Sequence, residues 1–350
     1  MTDASTSPPP RYRKQEQEPA TDEIVEVAPG VVRTQLPIHM PGLGHVNCYV
    51  LEDERGVALV DPGLPGPKPW KELTARLAQA GVPLRRVHTV IVTHSHPDHF
   101  GGAARLHKAS GAQILTHRAF GLRWDPTAGD GPSERAPRPN WKAPTPWGGR
   151  SPRPPWRMRI AYRLYAGRGS FVPRPTVRVD DADPVRLAGR EWVAVHTPGH
   201  TSDHLCLFDR STGTFLSGDH VLPTITPHIG ALHDHDDSLK TFFDSLDKVA
   251  ALDGETQVVL PAHGHPFGSL AERAEAIKEH HLARLDKLRR ASAELGRPAT
   301  VAEFSTYLFA PRSLGAMADS ETYAHLEHLR LMGEAQRHTP PSGLVEYTIS

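Results

Sequence analysis

The stretch TVIVTHSHPDH, residues 89–99, constrains this chain more than any other. An apolar run of strand type ends on His94, His96, Asp98 and His99, and alternate residues of an extended chain project to one side. His94 and His96 can therefore meet one ion, while Asp98 and His99, in the turn that follows, reach a second. Nitrogen and oxygen donors of this borderline softness suit zinc, with iron or manganese as alternatives. A polar loop would also tolerate histidines, so the test is whether other strand ends supply matching ligands.

Three do. WVAVHTPGHTSDH places His200 in a Pro-Gly turn after a strand-like run, the strand in GTFLSGDH leads to Asp219, and the strand in TQVVLPAHGHP leads to His263. These positions draw on an unusual stock of 22 histidines, the commonest metal ligand and a group that titrates near neutral pH. Each sits where loops converge beyond the carboxyl end of a strand.

The order HSHPDH, HTPGH, SGD, PAHG, together with DPG at Asp61 to Gly63, resembles the metallo-β-lactamase superfamily, and the resemblance runs from about Ile24 to His265. It implies that His94, His96 and His200 hold one ion, that Asp98, His99 and His263 hold the other, and that Asp219 bridges them. Asp61 would orient the ligand loop, although an Asp before Pro-Gly is also an ordinary turn starter. His196 matches a non-ligand position. Among the remaining histidines, His204 or His228 is the expected substrate contact. The implied chemistry is a hydroxide shared by two Zn2+ ions attacking a thioester, ester or lactone, with Asp98 as the proton acceptor. Neither Ser95 nor Ser217 has a base beside it, so no side-chain nucleophile is expected.

Within this superfamily the same centre also serves phosphodiesters and, with a single iron, sulfur dioxygenation. Histidine at His96 argues against the diiron flavoprotein branch, where a carboxylate stands. Lys plus Arg equals Asp plus Glu at 40 each, so net charge does not draw the chain to a polyanion. An endoribonuclease, which gains affinity by neutralising phosphates, is therefore the second expectation, and a mononuclear iron sulfur dioxygenase the third. A nucleic-acid-binding regulator with a decayed centre is disfavoured because every ligand position is filled.

Strand-like and helical segments alternate from Ile24 onward, which predicts an α/β fold, the four-layer αββα sandwich of the superfamily. Residues 24–268 form the expected catalytic domain. Residues 1–23 are Pro-, Gln- and charge-rich and are expected to be a flexible leader. Residues 121–175, too long for an ordinary loop, carry many Arg and Trp, among them Arg138, Trp141, Arg157 and Trp156. Guanidinium and indole groups suit an anionic, partly apolar small molecule such as a CoA-like thioester, so this insertion is a candidate lid. Residues 269–350 read as three helices followed by a strand-like GLVEYTIS. That order resembles the winged-helix tail of the endoribonuclease-like β-lactamase group, but Glu321, Glu327 and Glu334 leave its third helix too acidic to favour nucleic acid. Cys48 and Cys206 lie in apolar strands and are expected to be buried thiols. No apolar run approaches the roughly 20 residues that span a bilayer, and no signal peptide is visible, so a cytoplasmic protein is expected.

Overall fold

The structure, a computed structural model, describes residues 14–40, 42–121, 145–148, 173–230 and 237–350. Its frame is a pair of sheets. The first has seven strands in sequence order: β1 (Ile24–Ala28), β2 (Val31–Met40), β3 (Leu43–Asp53), β4 (Gly56–Val60), β5 (Val87–Ile91), β6 (Gln113–His117) and β7 (Val177–Val179). The second comprises β8 (Pro184–Leu187), β9 (Arg190–His196), β10 (Leu205–Asp209), β11 (Thr214–Gly218) and β12 (Val258–Pro261), in the order β12-β11-β10-β9-β8.

Period-two alternation explains the layering. In β4, Ala58 and Val60 join the cluster between the sheets, while Val57 and Leu59 face the cluster beneath the helices α1 (Pro67–Gln79) and α3 (Ala103–Ser110). In β10, Leu205 and Leu207 point between the sheets, and Cys206 and Phe208 point outward against α4 (Ser238–Ala250). Both faces are buried, so these strands read as continuous apolar runs. The result is the expected αββα order. It also sends Cys48 and Cys206 into different apolar layers, and both are buried free thiols.

Topology gathers the strand ends. β4 and β5 are parallel. β9 and β11 each pair antiparallel with β10, and β12 is parallel to β11, so β9, β11 and β12 run the same way. The loops after these five strands carry Asp61, the 94–99 cluster, His200, Asp219 and His263.

The expected helices beyond residue 269 are α5 (Leu270–Leu295), α6 (Val301–Leu308) and α7 (Ala316–Leu331), with α6 started by a capping box between Thr300 and Glu303. The sheet that accompanies them is larger than one strand: β13 (Ala299–Thr300), before α6, joins β14 (Ala335–His338) and β15 (Glu346–Ile349), in the order β13-β15-β14. Nor is this region packed apart from the rest. One apolar cluster runs unbroken from Phe208 and Phe215 through Phe242 of α4 to Leu285, Phe304, Leu326 and Tyr347.

The expectation of a flexible leader over residues 1–23 is corrected in its second half. Residues 1–13 lie outside the described residues, but Gln15–Gln17 form a 3-10 turn and Glu16 is fully buried. Its carboxylate accepts the backbone N–H groups of Thr224 and Ile225, at 2.8 and 3.1 Å, and the Thr224 hydroxyl. Charge-assisted bonds to otherwise unmatched amides offset the burial of that charge. Most of the candidate lid at 121–175 lies outside the described residues. Within it, Thr145–Gly148 touches the C-terminal sheet and helices: Trp147 accepts the N–H of Val345 and its ring lies 5.6 Å from that of Tyr323. Among the described residues, no helix is long and apolar enough to cross a membrane.

Candidate metal centre

The loop after β5 must leave the sheet at once to present its histidines, and Asp61 at the end of β4 pins it. Asp61 accepts the Thr93 N–H at 2.9 Å, the Thr93 hydroxyl at 2.8 Å and the His99 Nδ1–H at 2.8 Å. It does so from a left-handed backbone, φ 54°, a conformation that costs energy and that Asp adopts more readily than most residues. The short helix α2 (Pro97–Phe100) then turns Asp98 and His99 inward. Ser95, between His94 and His96, donates to the buried Asp203 at 3.1 Å.

All seven sequence-predicted residues come together. The donor atoms of His94, His96, His200 and Asp219 lie within 4.8 Å of one another, as do those of Asp98, His99 and His263. His94 Nε2 is 2.9 Å from His96 Nδ1, which is 3.2 Å from His200 Nε2. Asp219 faces both groups: Oδ2 lies 3.7 Å from His200 and 3.6 Å from His99, and Oδ1 lies 3.3 Å from His263.

The outward nitrogens of the ring set are anchored. His200 Nδ1 donates to the His228 carbonyl at 2.8 Å, His263 Nδ1 to the His45 carbonyl at 2.6 Å, and His99 Nδ1 to Asp61. A neutral imidazole that donates from one nitrogen presents a bare lone pair on the other. Three of the inward atoms, His99 Nε2, His263 Nε2 and Asp219 Oδ1, are buried without a hydrogen-bond partner. Orphaned polar atoms are costly and rare in native interiors, and here they converge. The donor set fits a zinc-class cation.

Electrostatics separate the halves. Burial, reinforced by neighbouring histidines, holds His94 and His200 below the usual imidazole range and His96 down at about 3, so that half is a neutral nitrogen cage. In the other half burial opposes protonation, but Asp219 and Asp98 outweigh it and raise His99 and His263. The histidines around Asp98 and Asp219 outweigh burial in turn and keep both carboxylates ionised. That half calls for positive charge.

Two glycines shape the loops. Gly199 sits at φ 136°, and a Cβ there would lie 2.5 Å from Cα and Cβ of Phe242 in α4. Gly218 sits at φ 52°, with the His204 ring 2.7 Å from where its Cβ would be.

His204 cannot be a substrate contact, which corrects half of that expectation. It is fully buried, its Nδ1 lies 2.8 Å from the Thr197 hydroxyl, and its Nε2 accepts the N–H of Asp219 at 3.0 Å. Its place is beneath the ligand loop. His228 is half-buried, and its Nδ1 lies 3.2 Å from the Glu321 carboxylate. His196 stacks on His117, with ring centroids 3.6 Å apart, and is not among the residues of the cluster. Residues without a sequence signal also hold the site. Asn47 donates to the carbonyls of Pro261 and Gly264, both at 2.8 Å, and the Tyr49 hydroxyl donates to Pro261, fixing the turn that presents His263.

A third group, His281, Glu321 and His325, also has donor atoms within 4.8 Å, far from any sequence motif. It lies between α5 and α7.

Comparison with known proteins gives the family. The family model described as Metallo-beta-lactamase superfamily matches residues 41–263. A hydroxyacylglutathione hydrolase of Albidiferax ferrireducens is 25% identical over 236 residues, 67% of this chain and 68% of its own length. The acyl-coenzyme A thioesterase MBLAC2 of Gallus gallus is 26% identical over 206 residues, 55% of this chain and 62% of its own. The chain thus spans roughly two thirds of the length of these curated relatives. Among solved structures, a metallo-beta-lactamase family protein from Thermus thermophilus superposes with a TM-score of 0.71 at 29% identity, covering 93% of this chain and all of that one.

Proposed function

The chain belongs to the metallo-beta-lactamase superfamily and is a hydrolase of that fold, and from that premise we propose that it holds two zinc-class ions and cleaves a thioester of a small anionic carrier. His94, His96 and His200 would hold the first ion, Asp98, His99 and His263 the second, with Asp219 shared. The observation that carries this reading is the convergence of the unpartnered, buried His99 Nε2, His263 Nε2 and Asp219 Oδ1. When bound, such ions lower the pKa of a coordinated water from 15.7 to about 7 and polarise the bond under attack.

The chain's own groups do the rest. Asp98, held ionised among His99 and His263 at 3.5 and 3.6 Å, accepts a proton at its carboxylate and orients the attacking oxygen. Asp61 fixes the His99 ring so that its Nε2 points into the cluster. The buried strand ends around the cluster limit competing water.

A thioester is favoured over the ester and lactone alternatives because the two curated relatives above are named for acylglutathione and acyl-coenzyme A hydrolysis. A small molecule is favoured over nucleic acid because α7 is buried around most of its surface, from Ala318 to Leu329. A helix that reads a groove needs an open face.

The test is to purify the chain, measure its metal content, and assay thiol release from acyl-coenzyme A and acylglutathione beside lactone opening and single-stranded RNA cleavage. Two zinc-class equivalents and chelator-sensitive thiol release are expected. One iron with dioxygen-dependent turnover, or RNA cleavage without thiol release, overturns the proposal.

A further inference from the structure

The loop from Leu222 to Gly230 carries the carbonyl that orients His200, yet it contains no regular element of its own. Backbone that must place a ligand without a ladder needs outside support, and the C-terminal helices give it. Arg273 of α5 donates Nε to the Leu222 carbonyl at 2.6 Å and Nη2 to the Ile225 carbonyl at 2.7 Å. Glu16 holds Thr224 and Ile225 from the other flank. At the end that matters, the His228 ring is tied to Glu321 of α7, whose carboxylate is buried and also paired with Arg284 of α5.

We infer that Glu321 is a positioning residue for the metal centre: it fixes the His228 ring, so that the His228 carbonyl holds His200 Nδ1 and aims Nε2 at the first ion. This rests on the metal-binding reading above. Partners of this kind, one bond beyond the ligand, typically change metal affinity 10- to 100-fold when removed. Here the partner sits two steps away and on a helix outside the superfamily match at residues 41–263, so the C-terminal helices tune the first ion and leave the second, anchored through Asp61 and His45, untouched.

The experiment is a titration of cobalt(II) into the metal-free full chain, followed by visible absorption and by chelator competition, for wild type, Glu321→Gln and His228→Ala. His228→Ala guards against a folding failure, because this ring is half-buried and its peptide carbonyl is retained. Two binding steps in wild type are expected, with one step weakened about 10- to 100-fold and its d–d absorption altered in both variants, and the other step unchanged. Unchanged steps in either variant overturn the inference. So does equal weakening of both steps together with a fall in the unfolding temperature of the metal-free protein, which marks general loosening. Wild type that binds no cobalt overturns the metal reading itself, a separate result.

Discussion

Two regions of this molecule bring histidine and carboxylate donor atoms within 4.8 Å of one another, and they differ in how those donors are partnered. Around Asp219 the carboxylates meet only histidines, the outer nitrogens of His99, His200 and His263 are tied to the surrounding chain, and three inward atoms, His99 Nε2, His263 Nε2 and Asp219 Oδ1, have no hydrogen-bond partner. Around Glu321 the carboxylate already has a guanidinium, from Arg284, and a second donor, from His228. His281 Nδ1 and His325 Nε2 bond each other at 3.1 Å, and His325 Nδ1 donates to the Glu321 carbonyl at 2.7 Å. His281 Nε2 alone is orphaned, and its ring lies edge-on to Phe242. Proximity of histidine and carboxylate is therefore a weak sign of a metal site. The better sign is that the buried carboxylates face only imidazoles, with no guanidinium or ammonium group beside them.

The contrast can be broken most sharply at the shared carboxylate. Asp219→Ala should lower turnover on the order of 10³-fold or more and leave the chain with at most one ion by elemental analysis; near-normal turnover would show that Asp219 is not a ligand. Asp98→Ala should empty the second position alone. Removing the ions with a chelator comes next. At free metal a thousandfold above the dissociation constant, binding adds about 4 kcal/mol to folding stability, so the unfolding temperature should fall on stripping, and His281→Phe should not change how many ions are lost. Three equivalents in wild type and two in His281→Phe would erase the distinction.

Acid offers a smaller lever on the C-terminal cluster. Burial lowers the His325 pKa from 6.5 to about 4, aided by Arg284 and opposed by Glu321. Between those values the unfolded chain binds more protons at this residue than the folded one, so the stability that His325 contributes is complete above 6.5 and falls as pH drops toward 4. The gap is worth roughly 3 kcal/mol. Burial would raise Glu321, but His228 and Arg284 outweigh it and bring it to about 2, so its share persists to lower pH. The metal-free His325→Gln variant should thus show a flatter dependence of unfolding temperature on pH from 6.5 to 4 than wild type; parallel curves would rule His325 out. Smallest is Gly199→Ala, which strains a left-handed position against Phe242 and should cost about 1–3 kcal/mol in stability, read by denaturant titration. A neutral result there would mean that α4 yields.

The two clusters also differ in how far they could be read beforehand. His94, His96, Asp98, His99, His200, Asp219 and His263 follow apolar strands, close to where a continuous apolar run stops, so pattern and chemistry coincide. Their supports do not. Asn47 and Tyr49 act through carbonyls of Pro261 and Gly264, and nothing local in HVNCYV shows that its polar side chains face a turn more than two hundred residues away. Glu16 looked like solvated charge because a carboxylate that binds loop amides has the same sequence as one that binds water. β7, only Val177–Val179, and the polar β14, AQRH, are too short or too hydrophilic to stand out, and they form only because a neighbouring strand offers its edge. The Glu321 network was invisible for a further reason: its partners come from three separate stretches of chain.

That dispersal bears on the order in which a ribosome delivers the parts. All seven candidate ligands have been made once His263 is polymerised, but Glu321 follows later and at about 5–20 residues per second arrives a few seconds behind. During that interval the loop holding His228 lacks its tether from α7, and the apolar layer beneath α4 lacks Leu326 and Tyr347. On the two-ion reading, a nascent chain should therefore bind the ion at His94, His96 and His200 more weakly than the one at Asp98, His99 and His263 until the last helix docks.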